Sequence, residues 1–336
     1  MTTVVLIGGG RMGHRFSQAI REAGHKLSML FDPSEKPFAV ETEAALADVH
    51  ERDFENVLSS DADCFVICTT ADLHVPIVQQ LIEAGKKRIV VEKPLSQSAK
   101  DAIELRELAT QNGVRMIVNH GRRYCANIQM LKEMDGSPEL GSLRSVIVKV
   151  GGGSLGCVGT HWIDMCNNLM GGMPKSVYAE LSDETPSNTR GTKFDDPGGV
   201  VLMRYDGGRR AVIEAGDDVG IVIGTDFIFE RGVVNWVAEG GVWTLRCRRA
   251  EDREKPLFLY GLPLEQSDLE ITPPNLISYA KAVLADAFSS ETPISGLDQA
   301  CDTMNVYAGL RASAANRTPV TFPLGDDDVS AHYPIP

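Results

Sequence analysis

The chain has 336 residues, 43% of them hydrophobic and 24% charged, with a formal net charge of -13. That length and balance suit a globular protein of two domains. The negative charge and the lack of a long basic block count against nucleic acid and anionic membranes as partners.

In chain order, the first third alternates short apolar runs with amphipathic stretches. Val4–Ile7 predicts a strand, Arg11–Ala23 a helix ending before Gly24, and Leu27–Phe31 a second strand. Cys64–Cys68, Ile89–Val91 and Val114–Val118 predict further strands, with helices over His74–Ala84 and Ser96–Thr110. Ser96 is the expected N-cap of the latter helix and Asn112-Gly113 its stop. Such alternation predicts βαβ units with right-handed crossovers and a parallel sheet of the doubly wound Rossmann type.

After residue 122 the pattern changes. A helix over Ala126–Met134 precedes a strand at Leu143–Val150, the triplet Gly151-Gly152-Gly153 and a helix from Val158 to Met170. From Lys175 to Tyr260 β-type segments follow: Ser176–Leu181, Val200–Tyr205, Arg210–Ala215, Asp226–Glu230 and Val242–Arg246. Asp206-Gly207-Gly208 and Glu239-Gly240-Gly241 are hairpin-like turns among them. Helices near Pro274–Ala287 and Gly296–Ala315 come last. The expectation is an α/β domain over residues 1–122 and an α+β domain with an open, mainly antiparallel sheet over 123–336. An open sheet face needs cover, which a second copy of the chain could supply, as a homodimer or homotetramer.

No apolar stretch reaches the roughly 20 residues of a membrane span, and Met1-Thr2-Thr3-Val4 lacks the basic start of a signal peptide. The seven cysteines are odd in number and include no CxxC pair. A cytoplasmic setting is expected, with neither a disulfide framework nor a metal site.

Five stretches carry candidate chemistry. Gly8, Gly10 and Gly13, with Arg11 and Met12 between them, give G-x-G-x-x-G between a strand and a helix. In that context the first glycine permits a tight turn, the second lets a pyrophosphate approach the backbone, and the third lets helix and strand pack closely. Asp32 ends the second strand, where an acid binds the adenosine ribose. It favours NAD, while Arg11 and Lys36 leave NADP open.

Thr69, Thr70 and His74 follow the Cys64–Cys68 strand, where a loop would cross near a nicotinamide. His74 is equally readable as a polar helix start. Glu92 and Lys93 follow Ile89–Val91, and Pro94 ends that strand, presenting Lys93 at the edge where α/β sheets bind ligands. A Lys-Pro pair alone is also an ordinary solvated loop.

Asn119, Arg122, Arg123 and Tyr124 lead out of the last strand of the first domain. Interdomain clefts are preferred ligand sites, although a salt-bridged linker explains either arginine equally well. In the second domain, Cys157, His161 and Asp164 have the spacing of one helical face. His161 is open to two readings, a packed or surface histidine and an acid/base group.

The chain resembles the Gfo/Idh/MocA oxidoreductases on these motifs together: the turn at 8–13, Thr69-Thr70 with His74, Glu92-Lys93-Pro94, the glycine-rich segment with His161 and Asp164, and Ala308 to Ala314. The resemblance implies NAD(P)-dependent hydride transfer to or from a secondary alcohol of a sugar, nucleotide sugar or cyclitol. It implies Lys93 and His161 as catalytic residues. Family members carry aspartate four residues before that histidine; Cys157 stands there in this chain. A thiol is a weak hydrogen-bonding group and mostly neutral at pH 7, so it does not replace a carboxylate. The substitution leaves open a non-catalytic NAD-binding regulator, and within the enzyme class the alternative is an enzyme that retains NAD for net-neutral sugar chemistry.

Overall fold

The structure, a computed structural model, describes residues 1–183, 188, 190–238, 241–256 and 262–336. Glu239 and Gly240 of the expected turn, and Tyr260, lie outside the described residues. The chain forms two compact units: residues 1–124, 275–304 and 329–336 make the first, and residues 125–274 and 305–328 the second. One cut near residue 122 therefore does not divide it, because the chain returns to the first unit twice.

The first unit holds a sheet of β1 (Thr3–Ile7), β2 (Lys26–Phe31), β3 (His50–Glu51), β4 (Cys64–Ile67), β5 (Arg88–Val91) and β6 (Arg115–Val118), in spatial order β3-β2-β1-β4-β5-β6. All neighbours pair in parallel. Helices α1 (Arg11–Glu22), α2 (Phe38–Thr42), α3 (Phe54–Ser59), α4 (His74–Glu83) and α5 (Ala99–Gln111) connect the strands. The strands are buried over nearly their whole length, which is why they read as short unbroken apolar runs. Strand β3 and helices α2 and α3 are too short to leave a periodic signal, and the sequence reading misses them.

Ser96 is not the cap of α5. Ser98 is: its Oγ accepts from the N–H of Asp101 at 3.0 Å. Ser96 instead donates to the Ser98 carbonyl at 2.7 Å, and Gln97 is tied to the C-terminal tail through Ile335 and Tyr333. These bonds hold residues 96–98 outside the helix, so it starts later than its periodicity suggests. Helix α8 (Leu276–Phe288) belongs to this unit, its Ala280, Val283, Leu284 and Ala287 sharing a core with Phe16, Ile20, Leu6, Val66, Val90 and Ile117.

The second unit is built on β7 (Leu143–Gly151), β8 (Ser176–Leu181), β9 (Gly199–Arg204), β10 (Arg210–Gly216), β11 (Gly224–Phe229), β12 (Gly232–Val237), β13 (Trp243–Arg248), β14 (Leu264–Leu269) and β15 (Val320–Thr321). Their order is β14-β13-β12-β11-β7-β10-β9-β8-β15, and every pair except β7–β10 is antiparallel. Helices α6 (Ala126–Met134) and α7 (Gly159–Met170) belong to the same unit, while α9 (Leu297–Asn316) is divided between the two.

Alternate residues of these strands are buried. Trp162 of α7 lies in that interior, its ring 5.7 Å from Trp236, which stacks 5.0 Å from Trp243. On the other face, Tyr178, Leu202, Val212 and Ile147 stand in register across β8, β9, β10 and β7 and are only partly buried. The expected pairing of a parallel α/β sheet with an open, mainly antiparallel one is what forms.

Candidate active site

Strand order brings the first-unit candidates to one sheet edge. Gly8 follows β1, Cys68-Thr69 follows β4, Glu92-Lys93 follows β5 and Asn119 follows β6, and these four strands are neighbours. Each loop starts pinned: the N–H of Cys68 donates to Ile7 O at 2.7 Å, that of Glu92 to Ile67 O at 2.9 Å, and that of Asn119 to Val91 O at 2.8 Å. Ligands of doubly wound sheets bind outside the carboxyl ends where the strand order reverses, here between β1 and β4.

The glycine turn has the shape such a ligand needs. Gly8 has φ +101°, a conformation that L side chains rarely adopt. A Cβ on Gly13 would stand 2.0 Å from the Gly8 carbonyl oxygen, whereas one on Gly10 would meet nothing within 4 Å. Helix α1 begins after Gly10 with no side-chain cap and no acid in its first turn. Its leading N–H groups therefore suit phosphate oxygens. Arg11 is exposed, 5.9 Å from the Phe38 ring centroid, while Met12 packs against the unit's core. Asp32 accepts from the N–H of Gly9 at 2.7 Å and from that of Ser34 at 2.9 Å, which fixes its carboxylate beside the turn.

Glu92 is buried, and its carboxylate accepts from the Asn119 side-chain amide at 2.6 Å and from the Lys93 backbone N–H at 3.3 Å. Asn119, expected to contact substrate, thus also holds Glu92. His74 is buried with its ring nitrogens 2.8 Å from Pro94 O and 3.2 Å from Thr69 O. Burial pushes its pKa down to about 4, against the raising effect of those carbonyls. At neutral pH the ring is uncharged and carries one N–H, so it donates to one of these two carbonyls, the Pro94 oxygen being the nearer.

The Oγ1 of Thr69 and the Oδ1 of Asn119 are buried without a hydrogen-bond partner among the described residues. Buried polar atoms of that kind call for one. Tyr124 donates to Asp286 Oδ2 at 2.6 Å and packs against the core, Arg123 is buried, and Thr70 and Arg122 are half-buried. With the open Gly10, the uncapped helix and the ordered Asp32, these features fit a dinucleotide.

In the second unit, α7 starts at Gly159 with Val158 as N-cap, so Cys157 lies in the turn before the helix. The expected single helical face of 157, 161 and 164 is therefore broken at its first member, because residues 155–158 form a turn ahead of the helix. His161 is partly exposed and Asp164 fully buried. The carboxylate that reaches this turn is Asp196, which the sequence reading missed. Nothing in the sequence ties Asp195-Asp196-Pro197 to residues some 40 positions earlier.

The first unit is thus a dinucleotide-binding Rossmann unit, and the second carries a helix bearing a histidine. Residues 2–120 match the family described as the oxidoreductase family with an NAD-binding Rossmann fold, and residues 129–232 match the GFO/IDH/MocA C-terminal domain. The chain belongs to the Gfo/Idh/MocA family, and its first unit is that family's NAD-binding Rossmann domain.

Among curated relatives, the uncharacterized oxidoreductase YrbE of Bacillus subtilis (strain 168) is 24% identical over 62% of this chain and 65% of its own length. Inositol 2-dehydrogenase of Rhizobium meliloti (strain 1021) is 24% identical over 62% of this chain and 66% of its own. The chain therefore spans slightly less than two thirds of these relatives. A levoglucosan dehydrogenase solved with NADH and L-sorbose superposes with a TM-score of 0.77 at 18% identity, over 98% of this chain and all of its own, a likeness of fold. Among the described residues, no helix is long and apolar enough to cross a membrane.

Proposed function

We propose that the protein is an NAD-dependent dehydrogenase acting on a secondary alcohol of a sugar, nucleotide sugar or cyclitol. The observation that carries this reading is the anchoring of the Lys93 backbone at the carboxyl edge of the parallel sheet that also bears the dinucleotide turn. Its peptide N–H is held by Glu92, Glu92 is held by Asn119, and the carbonyl after it meets His74. A lysine so fixed at the switch-point edge suits a charge that develops during reaction. Relatives named as inositol 2-dehydrogenase and levoglucosan dehydrogenase support the substrate class.

Gly8, Gly10, Gly13 and the start of α1 hold the pyrophosphate in this reading, Asp32 the adenosine ribose, and Thr69 and Asn119 supply polar contacts. Bound NAD supplies the hydride acceptor. His161 takes the proton of the substrate hydroxyl as general base, and the Lys93 ammonium donates a hydrogen bond to the oxygen as negative charge grows on it. Arg122, Arg123, Tyr124, Cys157 and Asp164 remain proposed substrate-side residues. The partly exposed row Tyr178, Leu202, Val212 and Ile147 supports self-association through the second sheet, as a homodimer or homotetramer.

The test is NADH formation with a panel of inositols, free sugars and nucleotide sugars. Lys93→Ala is expected to lower turnover about a hundredfold or more, the scale of losing one oxyanion donor, with NAD affinity nearly unchanged. Wild-type turnover in that variant overturns the assignment. Saturable NAD binding with no turnover on any substrate favours the non-catalytic reading instead.

A further inference from the structure

We infer that Asp196 is a positioning residue for His161, an inference that rests on the dehydrogenase reading above. Asp196 precedes β9 and is 5% exposed. Its Oδ2 accepts from the Ser154 hydroxyl at 2.5 Å and from the N–H of Cys157 at 2.7 Å, and its Oδ1 from the N–H of Gly156 at 2.6 Å. Hydrogen bonds to a charged acceptor are roughly twice as strong as neutral ones, and here three converge on one buried carboxylate. The N–H of Leu155 adds a bond to the Pro197 carbonyl at 2.9 Å. The turn that leads into α7 is thus held almost residue by residue from the loop at 195–197.

Helix α7 has no side-chain cap of its own. Asp196 holds instead the two peptide N–H groups of the turn before it, Gly156 and Cys157, and its negative charge near the helix start also suits the helix dipole. Residue 161 hangs from the same turn, its N–H donating to the Val158 carbonyl at 3.2 Å. Trp162 beside it is fully buried against Trp236. His161 therefore has two anchors, one in the core and one at the turn. With a thiol at 157, the carboxylate that orders this turn comes from position 196.

The loop is itself braced. Asp195 accepts from Arg311 at 3.2 Å, and Arg311 donates to the Tyr307 hydroxyl at 3.2 Å. Burial, and after it the charge of Asp196, raise the pKa of that hydroxyl, so it stays protonated.

Asp196→Asn keeps the size of the side chain but turns one acceptor into an NH2 group that faces a donor, so at least one bond is lost. On the inositol and sugar panel, kcat is expected to fall about tenfold or more, with the KM for NAD within about twofold of wild type. Amide exchange should quicken at residues 154–161 and nowhere in residues 1–124. Ser154→Ala removes a single donor and should lower kcat less, and the double variant should be no slower than Asp196→Asn alone.

Wild-type kcat in Asp196→Asn, additive losses, or a parallel fall in NAD affinity overturns the inference. If Asp196→Asn does not fold, Ser154→Ala carries the test by the same readouts. If the wild-type protein turns over nothing on the panel, the dehydrogenase reading fails separately. Exchange then decides Asp196: quickening confined to 154–161 upholds its hold on the turn, and unchanged protection overturns it.

Discussion

The side-chain amide of Asn119, after β6, donates to the carboxylate of Glu92, after β5, at 2.6 Å. The two residues are 27 positions apart and meet because their strands are neighbours in the sheet. Asn119→Ala removes a donor from a buried carboxylate, at a cost of about 1–3 kcal/mol in stability. Glu92 also fixes the Lys93 backbone, so kcat should fall more than NAD affinity does. Denaturant unfolding, steady-state kinetics and NAD titration together check this. An unchanged kcat removes Glu92 from the support of Lys93.

Two glycines of the turn should respond differently. Gly13→Ala drives a methyl into the Gly8 carbonyl, 2.0 Å from the new carbon. Overpacking of that kind costs about 1–3 kcal/mol, so both melting temperature and NAD binding should fall. Gly10→Ala meets no protein atom within 4 Å and has a φ open to alanine, at -73°. It should leave the melting temperature unchanged and weaken NAD about tenfold or more, equal to about 1.4 kcal/mol. Calorimetry with and without NAD separates the two, and NAD affinity preserved in Gly10→Ala argues against pyrophosphate at this position.

His74 predicts a pH dependence of stability. Its pKa falls from 6.5 to about 4 on folding, chiefly through burial. The unfolded chain therefore takes up this proton first as pH drops. The contribution of neutral His74 is complete above about pH 6.5 and is lost as pH falls toward 4, amounting to about 3 kcal/mol. Urea unfolding between pH 7.5 and 4.5 should show this slope, and His74→Gln should flatten it. An equal slope in the variant assigns the effect to other groups.

The partly exposed row across β7, β10, β9 and β8 predicts self-association. Leu202→Glu, at the middle of the row, places a charge where a second copy would pack and should shift the protein toward monomer. Light scattering after size exclusion measures this. A monomeric wild type, or an unchanged assembly in the variant, argues against this face as the interface.

Much of this was legible in the chain itself. The buried strands β1, β4, β5 and β6 read as short apolar runs because both faces of a parallel sheet are covered. The glycine turn announced its own geometry, since only glycine suits the positive φ at position 8 and the missing space at position 13. Helix starts were less legible. Ser96 and Ser98 are both good caps by composition, and bonds from residues 333 and 335 to Gln97 settled which one caps. Cys157 fell outside α7 for a similar reason, being held in a turn by a carboxylate from another loop.

The sequence by itself determined the two kinds of sheet, the dinucleotide turn and the address of Lys93, because these depend on local backbone limits and on the periodicity of buried residues. Only the tertiary structure decided that Asn119 holds Glu92, that His74 sits neutral under Pro94, that α8 packs with the first unit, and that Asp196 secures the turn before His161. Each of these joins residues far apart in the chain. Hydrogen bonds and burial across such distances depend on strand order and packing, which no local pattern of residues encodes.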